Sequence, residues 1–271
     1  MAGQSGTGVV TFGGVDLTSN PYYAHLTSDA KYWFLDGQSS QQFITSTQSL
    51  VSSMPYFQTF VLHEVFRIEP PDGTRVSMLY ALTQLSSLLD PSKGEQKLVF
   101  AEYPAAYFIA KKQTSALQNE TAIPYMVEMT VEFACTGPAY STTENVATID
   151  IVDTPTEFTL TSNGDALASP RWRYTMPAAW GYTGNVEWAN NTTGESVAWD
   201  GALSKSALLD VIMDEYGIPR SVLVNGTPTM ATVTGPAWPH LVPGDNDITF
   251  TGPSAGTLEI RWRDRFMVGA Q

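Results

Sequence analysis

Short runs in which hydrophobic and polar residues alternate dominate the chain. The clearest run is residues 125–133, where every second side chain from Val127 onward is apolar and the side chains between them are polar. This spacing is typical of a β-strand with one buried and one solvated face. Similar runs occupy residues 56–67, 97–100, 147–151 and 258–263. Because Gly, Pro, Asn and Asp separate these runs, we predict a mainly β chain of sandwich or barrel type.

One segment of the first half has a helical spacing instead. Its apolar residues recur at i, i+4, i+7 and i+11 and form one stripe, which consists of Met78, Leu82, Leu85 and Leu89. We therefore predict a helix over residues 76–89. Asp90-Pro91 ends this helix, because a proline disfavours the helical conformation in the residue before it.

The apolar stretch over residues 208–215 is ambiguous by periodicity alone, and a helix that begins near Ser204 is one interpretation. We favour a strand, because Gly217-Ile218-Pro219-Arg220 has the composition of a turn and a second β-like run over 221–226 follows it. The sequence thus predicts a hairpin in this region.

Residues 137–144 are polar and rich in turn-forming residues, and they separate one β-like run from the next. A length of 271 residues suffices for two domains, since a single domain typically spans about 100–200 residues. We place the boundary in this segment and predict a first domain over residues 1–145 and a second domain over residues 146–271.

The chain is acidic, yet it carries few charges. It has 14 basic and 27 acidic side chains, a formal net charge of −13 and only 15% charged residues, against about 25% in an average soluble domain. Residues 1–145 hold 7 basic and 13 acidic groups, and residues 146–271 hold 7 and 14. Neither half is the basic module that binding to nucleic-acid phosphates requires. Six lysines in an acidic chain also suit a high-salt cytoplasm, although halophile proteins usually carry more total charge.

No stretch reaches the roughly 18 uninterrupted apolar residues of a membrane span. The N-terminal residues lack the basic and apolar regions of a secretory signal. We expect synthesis in a cytoplasm and no membrane insertion.

Residues with catalytic or metal-binding chemistry are few and scattered. The single cysteine, Cys135, lies in an alternating run and is expected to be a buried structural residue. The three histidines, His25, His63 and His240, have no partner at metal-ligand spacing. Asp245 with Asp247, or Asp214 with Glu215, could serve as calcium ligands or glycosidase carboxylates, but an ordinary turn before a strand is the favoured interpretation of 243–247. We predict no catalytic, cofactor-binding or metal-binding residue, no cofactor and no enzymatic activity.

Six of the seven tryptophans lie in the second half of the chain. Tryptophans can stack on sugar rings, and they also fill the cores of β-sandwiches. Because several alternate with charged neighbours, as in Arg171-Trp172-Arg173, we favour a core role for most of them. A carbohydrate-binding module remains the alternative function.

Two stretches of the first half resemble a known family. Residues 98–107 have the pattern L-x-F-x-x-x-P-x-x-Y, and residues 131–140 have the pattern V-x-F-x-C-x-x-P-x-Y. Together with the helix at 76–89 and an opening strand at 12–17, they are similar to the distal tail proteins of long, non-contractile-tailed phages.

The second half continues this resemblance in the same order. Asn190–Glu195 match an N-x-T-T-G-E hairpin, residues 241–248 match L-x-P-G-x-N-x-I, and residues 258–266 resemble the family's closing strand. Residues 208–214 with 222–226 resemble its penultimate strand pair, although the extra acidic residues and the long turn at 208–215 depart from that pattern. The resemblance extends from about residue 9 to residue 267.

The resemblance implies an N-terminal β-rich ring domain with one helix, followed by a galectin-like β-sandwich. It implies a structural virion protein that forms a homo-hexameric adaptor ring at the tail tip. The implied partners are the major tail tube protein, the tape measure protein, the tail hub or tail-associated protein and a receptor-binding protein, while DNA passes through the channel without specific binding. The alternative is a carbohydrate-binding module of the host-adsorption apparatus, because a fold alone does not determine function.

Overall fold

A computed structural model of the chain describes residues 10–17, 23–28, 59–69, 72–100, 104–120, 126–213, 221–235 and 238–266. The chain divides into two compact units, of which the first ends at Thr142 and the second comprises Thr143–Phe266. The division thus falls at Thr142, whereas the sequence places the end of the first domain at residue 145. The helix found among the described residues is too short and too polar to cross a membrane.

The first unit is built on one antiparallel sheet. Its strands are β1 (Val10–Phe12), β2 (Val15–Asp16), β3 (Tyr23–Ser28), β4 (Thr59–Ile68), β5 (Gln96–Phe100), β6 (Ala106–Glu120) and β7 (Val127–Ser141). They are ordered β2-β1-β5-β6-β7-β4-β3 across the sheet. The predicted runs at 56–67, 97–100 and 125–133 therefore correspond to β4, β5 and β7, apart from residues 56–58 and 125, which lie outside the described residues.

Strand β7 has the predicted alternation and is longer than predicted. Val127, Met129, Val131 and Phe133 are buried, while the residues between them are only partly buried. The prediction of a turn-rich segment at 137–144 is wrong for residues 137–141, because β7 continues to Ser141. Tyr140 pairs with Tyr107 of β6, and their rings stack with centroids 5.5 Å apart. The pairing of β6 with β7 is irregular between Thr136 and Tyr140, so the strand accommodates Gly137-Pro138 at a bulge.

The predicted opening strand is a hairpin rather than one strand. Thr11 pairs with Asp16 and Phe12 pairs with Val15, so β1 and β2 run antiparallel. Gly13 and Gly14 form the turn between them with φ values of 59° and 79°. Glycine adopts this left-handed conformation without steric cost, which makes Gly-Gly suitable for a two-residue hairpin turn.

The predicted helix is confirmed as α1 (Arg75–Leu88). Thr74 caps its N-terminus, since the Thr74 Oγ1 accepts a hydrogen bond from the backbone N–H of Ser77 at 3.2 Å. Ala81, Leu85 and Leu89 are buried on the inner face. A 3₁₀ turn over Pro91–Lys93, capped by Asp90, follows directly.

Twelve strands are found among the described residues of the second unit. In chain order they are β8 (Asn145–Ile151), β9 (Thr156–Ser162), β10 (Arg171–Thr175), β11 (Tyr182–Asn190), β12 (Glu195–Leu203), β13 (Leu208–Ile212), β14 (Ser221–Val224), β15 (Thr227–Pro228), β16 (Val233–Thr234), β17 (Gly244–Thr251), β18 (Gly256–Trp262) and β19 (Arg265–Phe266). One sheet has the order β15-β14-β13-β10-β18-β8 and the other has the order β16-β12-β11-β17-β9. The hairpin predicted over 208–226 is confirmed as β13 and β14, which pair antiparallel with Leu209 opposite Val224. Its predicted turn at 217–220 lies outside the described residues.

The two sheets of the second unit pack face to face through one hydrophobic core. Trp172 and Tyr174 of β10 face Trp188 of β11 and Phe250 of β17 within this core. The rings of Tyr174 and Phe250 lie 5.3 Å apart across the sandwich. The predicted fold class, mainly β with one described helix in the first unit and a β-sandwich in the second, is therefore confirmed.

Candidate functional site

Two sequence motifs of the second unit meet in a polar cluster that is buried except for the partly exposed Glu195. This motif cluster consists of Asn190 at the end of β11, Glu195 at the start of β12, His240 before β17 and Asn246 within β17. The Asn190 Nδ2 donates to the carbonyl oxygen of His240 at 2.6 Å and to the Asn246 Oδ1 at 3.0 Å. The residues that carry the resemblance are therefore brought together by the fold.

The side chain of Asn246 is fully buried and connects two segments of backbone, the loop before β17 and strand β9. Its Oδ1 accepts from the backbone N–H of Val242 at 2.8 Å. Its Nδ2 lies 2.9 Å from the carbonyl oxygens of both Val242 and Gly244 and 3.4 Å from that of Leu160 in β9. Because an amide both donates and accepts, Asn246 fixes the loop before β17 against the neighbouring strands.

His240 and Glu195 hold the same loop against the β11–β12 turn. The backbone N–H of His240 donates to the Glu195 Oε2 at 2.8 Å, and the His240 Nδ1 lies 3.3 Å from the same oxygen. His240 is only 7% exposed. These contacts give His240 a structural position within the sandwich.

Asp245 and Asp247 point to the opposite face of β17 from Asn246. Asp245 accepts from the Thr161 hydroxyl at 2.7 Å, and Asp247 accepts from the Thr159 hydroxyl at 3.0 Å. The expectation that both acids belong to a turn is wrong, because both lie within the strand. No group of three or more His, Cys, Asp or Glu residues could hold a metal ion in the described part of the chain. Asp214 and Glu215 lie outside the described residues.

Cys135 and His63 occupy neighbouring strands of the first unit. Burial, with a smaller contribution from the charge of Glu64, raises the pKa of the Cys135 thiol well above its usual range. A thiol with a raised pKa is a poor nucleophile. His63 is on the exposed side of β4, where its Nε2 lies 3.4 Å from the Glu132 Oε1. His25 lies in β3, opposite Phe66.

Most described tryptophans belong to the core, as predicted. The four that are less than 10% exposed are Trp172, Trp188, Trp199 and Trp262. Trp238 is half-buried and packs against this core, whereas Trp180 is 38% exposed. The carbohydrate-binding alternative therefore depends mainly on Trp180.

Four arginines form a patch on the outer face of the six-stranded sheet. This arginine patch consists of Arg171, Arg173, Arg261 and Arg263. None of the four was predicted as a site residue. They come from two Arg-Trp-Arg segments, in which each tryptophan points into the core. In each segment the spacing of two residues between the arginines indicates that both lie on the same face of a strand. The pairing of β10 with β18 brings the two segments together, and this long-range register cannot be deduced from either segment alone.

Two carboxylates neutralise part of this patch through side-chain hydrogen bonds. Asp210 accepts from the Arg173 Nε at 2.8 Å, and this hydrogen bond raises the pKa of Arg173. Glu259 accepts from the Arg261 Nε at 2.8 Å and from its Nη2 at 3.1 Å, and the hydrogen bonds from Arg261 lower the pKa of Glu259. Both pKa shifts have the direction expected of a group that is paired with an opposite charge.

The first unit exposes two surfaces suited to contact with another chain. Val76, Leu79 and Tyr80 form an apolar helix face on α1, with exposures of 78%, 51% and 56%. Strand β5 pairs with β6 only at Phe108–Ala110, so no strand among those described pairs with the outer edge of β6 from Lys111 onward. Exposed strand edges carry unpaired backbone groups that readily pair with another chain.

The folds of the two units define a class of mainly β, two-unit proteins in which a β-sandwich follows a sheet with a helix. No protein-family model matches the chain. No curated protein matches it either.

Solved structures nevertheless share this fold. The chain is similar to the SPP1 Dit protein, described as a paradigm of the hub adsorption apparatus in phages that infect Gram-positive bacteria, with a TM-score of 0.68 and 15% identity. The match covers 95% of this chain and 98% of that chain. A chain of the phage P2 baseplate in its activated conformation is similar with a TM-score of 0.50 and 7% identity, over 93% of both chains. The resemblance to distal tail proteins is thus confirmed for the fold.

Proposed function

We propose that this chain is a structural virion protein that forms a hexameric adaptor ring at the distal end of a non-contractile viral tail. The observation that carries the proposal is the likeness of fold to the SPP1 Dit protein over 95% of this chain and 98% of that chain. Because the likeness extends through both units, it concerns the whole arrangement of domains along the chain rather than one common β-sandwich. In this role the protein has no catalytic activity.

In this proposal the first domain, residues 1–145, forms the ring and the second, residues 146–271, is the galectin-like domain. The ring joins the tail tube and the tape measure protein to the tail hub and to a receptor-binding protein. Six copies carry a charge of 6 × −13 = −78. An acidic channel would repel the passing DNA and prevent specific binding, because both carry negative charge.

Two features of the first unit support contact between copies. A closed ring needs two different surfaces on each copy, since one surface meets the other surface of the next copy. The apolar helix face and the outer edge of β6 are two such surfaces. The low proportion of charged residues, 15%, also suits a subunit, because charged residues are depleted in the cores of interfaces.

The mass of the purified full-length protein tests the ring. We expect 6 × 29.5 = 177 kDa by light scattering or native mass spectrometry, against 29.5 kDa for one copy. Leu79→Glu places a charge on the apolar helix face and is expected to reduce the hexamer fraction without a change in the circular dichroism spectrum. Ser86→Glu is the matched control on an exposed position of the same helix.

Two results would count against this proposal. A chain that stays monomeric at every concentration would contradict the ring. If that monomer also bound glycans and lost them on Trp180→Ala, the carbohydrate-binding alternative would be favoured instead.

A further inference from the structure

The arginine patch concentrates positive charge on a strongly acidic chain. It holds four of the 14 basic side chains in a protein of net charge −13. Its members line an open cavity of about 160 Å³ together with Glu144, Ser169, Glu259 and Trp262. All of these residues belong to the second unit.

The strand register places two of these arginines directly opposite each other. Arg171 of β10 pairs with Arg261 of β18. Like charges in directly opposed positions of an antiparallel pair are destabilising, because their Cβ atoms lie only about 5 Å apart. A sequence that served stability alone would gain from an uncharged residue at either position.

Nearby carboxylates compensate this repulsion only in part. Asp210 lies 3.4 Å from the Arg171 Nη2, in addition to its bonds to Arg173. Glu144 accepts from the Arg261 Nη1 at 3.3 Å and lies 4.0 Å from the Arg263 Nη2. Asp210 and Glu144 are thus each shared between two arginines.

Arg171 has unused capacity for hydrogen bonding. Its Nε is buried and has no hydrogen-bond partner among the described residues. Its side chain is 37% exposed, and that of Arg261 is 42% exposed. Each guanidinium group offers five N–H donors. Glu259 and Glu144 occupy three of those of Arg261, so the Nη1 and Nη2 groups of both arginines retain N–H donors for a ligand in the cavity.

We propose that the cavity of the arginine patch binds a tetrahedral oxyanion, a phosphate or sulfate group, between Arg171 and Arg261. Two opposed guanidinium groups favour a ligand that offers oxygens to both, and Arg forms strong, charge-assisted hydrogen bonds with phosphate oxygens. A phosphate or sulfate group has enough oxygens to contact both arginines at once, whereas a carboxylate has only two. The bound anion offsets the repulsion between the two arginines. This site is independent of the proposed ring.

The test titrates the full-length ¹⁵N-labelled protein with inorganic phosphate and sulfate at constant ionic strength set by sodium chloride. The NMR signals of the arginine Nε–H groups report on the patch directly. We expect saturable shifts of the Arg171 and Arg261 signals, and affinity for acetate about tenfold lower because it has only two oxygens. Dimethyl phosphate shows whether the phosphate group belongs to a polymer or to a free anion. Binding of this diester indicates that phosphodiester polymers fit the cavity, whereas its failure to bind indicates a free anion.

Matched variants connect the shifts to the two opposed arginines. Arg171→Gln and Arg261→Gln are each expected to weaken phosphate binding at least about tenfold, because each removes one guanidinium group. Both variants should fold, since they relieve repulsion between like charges. Lys205→Gln, which makes the same charge change at an exposed position of the same unit, should bind phosphate as the wild type does.

Three results would overturn the proposal. The first is the absence of saturable shifts with phosphate and with sulfate. The second is an equal response to acetate, which would identify a contact site for carboxylates. The third is unchanged affinity in both Arg171→Gln and Arg261→Gln, which would show binding elsewhere.

Discussion

Replacement of Asn246 by alanine should destabilise the second unit, because it removes the central side chain of the motif cluster. Asn246 is fully buried, and its amide contacts Asn190, Val242, Gly244 and Leu160. Alanine keeps none of these contacts. The backbone N–H of Val242 would lose the side-chain acceptor that it uses in the native fold.

The magnitude follows from these contacts. Four hydrogen bonds of ordinary length are lost. At a net contribution of about 0.5–1 kcal/mol each they amount to about 2–4 kcal/mol, and the unsatisfied N–H of Val242 costs about 1 kcal/mol more. We expect the free energy of unfolding to fall by about 3–5 kcal/mol. Asn246→Asp keeps the shape of the side chain, but the ionised carboxylate cannot donate a hydrogen bond, so this variant should be at least as unstable as Asn246→Ala at neutral pH. In acid the protonated carboxyl group can donate, and the loss of stability should be smaller.

Urea unfolding followed by tryptophan fluorescence is a suitable assay. Six of the seven tryptophans lie in the second unit, so the signal reports mainly on that unit. Asn191→Ala is the matched control. Asn191 is exposed in the turn between β11 and β12, next to Asn190 of the motif cluster, and its side chain donates one hydrogen bond, to the Thr249 hydroxyl at 2.8 Å. If Asn246→Ala and Asn191→Ala lost the same stability within about 1 kcal/mol, the role given to the cluster would be refuted.

Two further predictions concern buried titratable groups. Burial raises the pKa of Tyr174 to about 12, whereas the same hydroxyl in the unfolded chain loses its proton near pH 10 or so. The free energy of unfolding is therefore unaffected below pH about 10 and falls by up to about 3 kcal/mol as the pH rises to 12. Tyr174→Phe, which also removes the hydrogen bond to the Ala255 carbonyl, should be less stable at neutral pH and should lose less stability over this window; parallel alkaline unfolding curves would contradict this. Burial likewise raises the pKa of the Cys135 thiol, so its reaction with a disulfide reagent should occur at the rate of unfolding and accelerate in urea, and immediate reaction in buffer would contradict its burial.

Local pattern was sufficient to predict many elements of this fold. The alternation along 125–133 predicts which side chains of β7 are buried, and the stripe through Leu85 predicts α1, because both signals depend only on neighbouring residues. The strand continuing through Gly137-Pro138 could not be predicted in this way. Its conformation depends on β6, whose Tyr107 stacks on Tyr140 from a distant part of the chain.

The sites depend still more on long-range register. Each motif could be recognised in the sequence, yet only the pairing of strands shows that Asn190 and Asn246 share a hydrogen bond. The same holds for Arg171 and Arg261, whose two segments contribute to one patch only because β10 pairs with β18. The apolar helix face had a visible signal in the spacing of Val76, Leu79 and Tyr80, but the stronger inner stripe obscured it.

Electron cryo-microscopy of purified particles of the virus that encodes this chain would test the proposed role most directly. The account predicts six copies of the chain in a ring around the channel at the distal end of the tail, with the first domain forming the ring. Absence of the chain from the particles, or its location in the capsid or along the whole tail, would contradict the proposal.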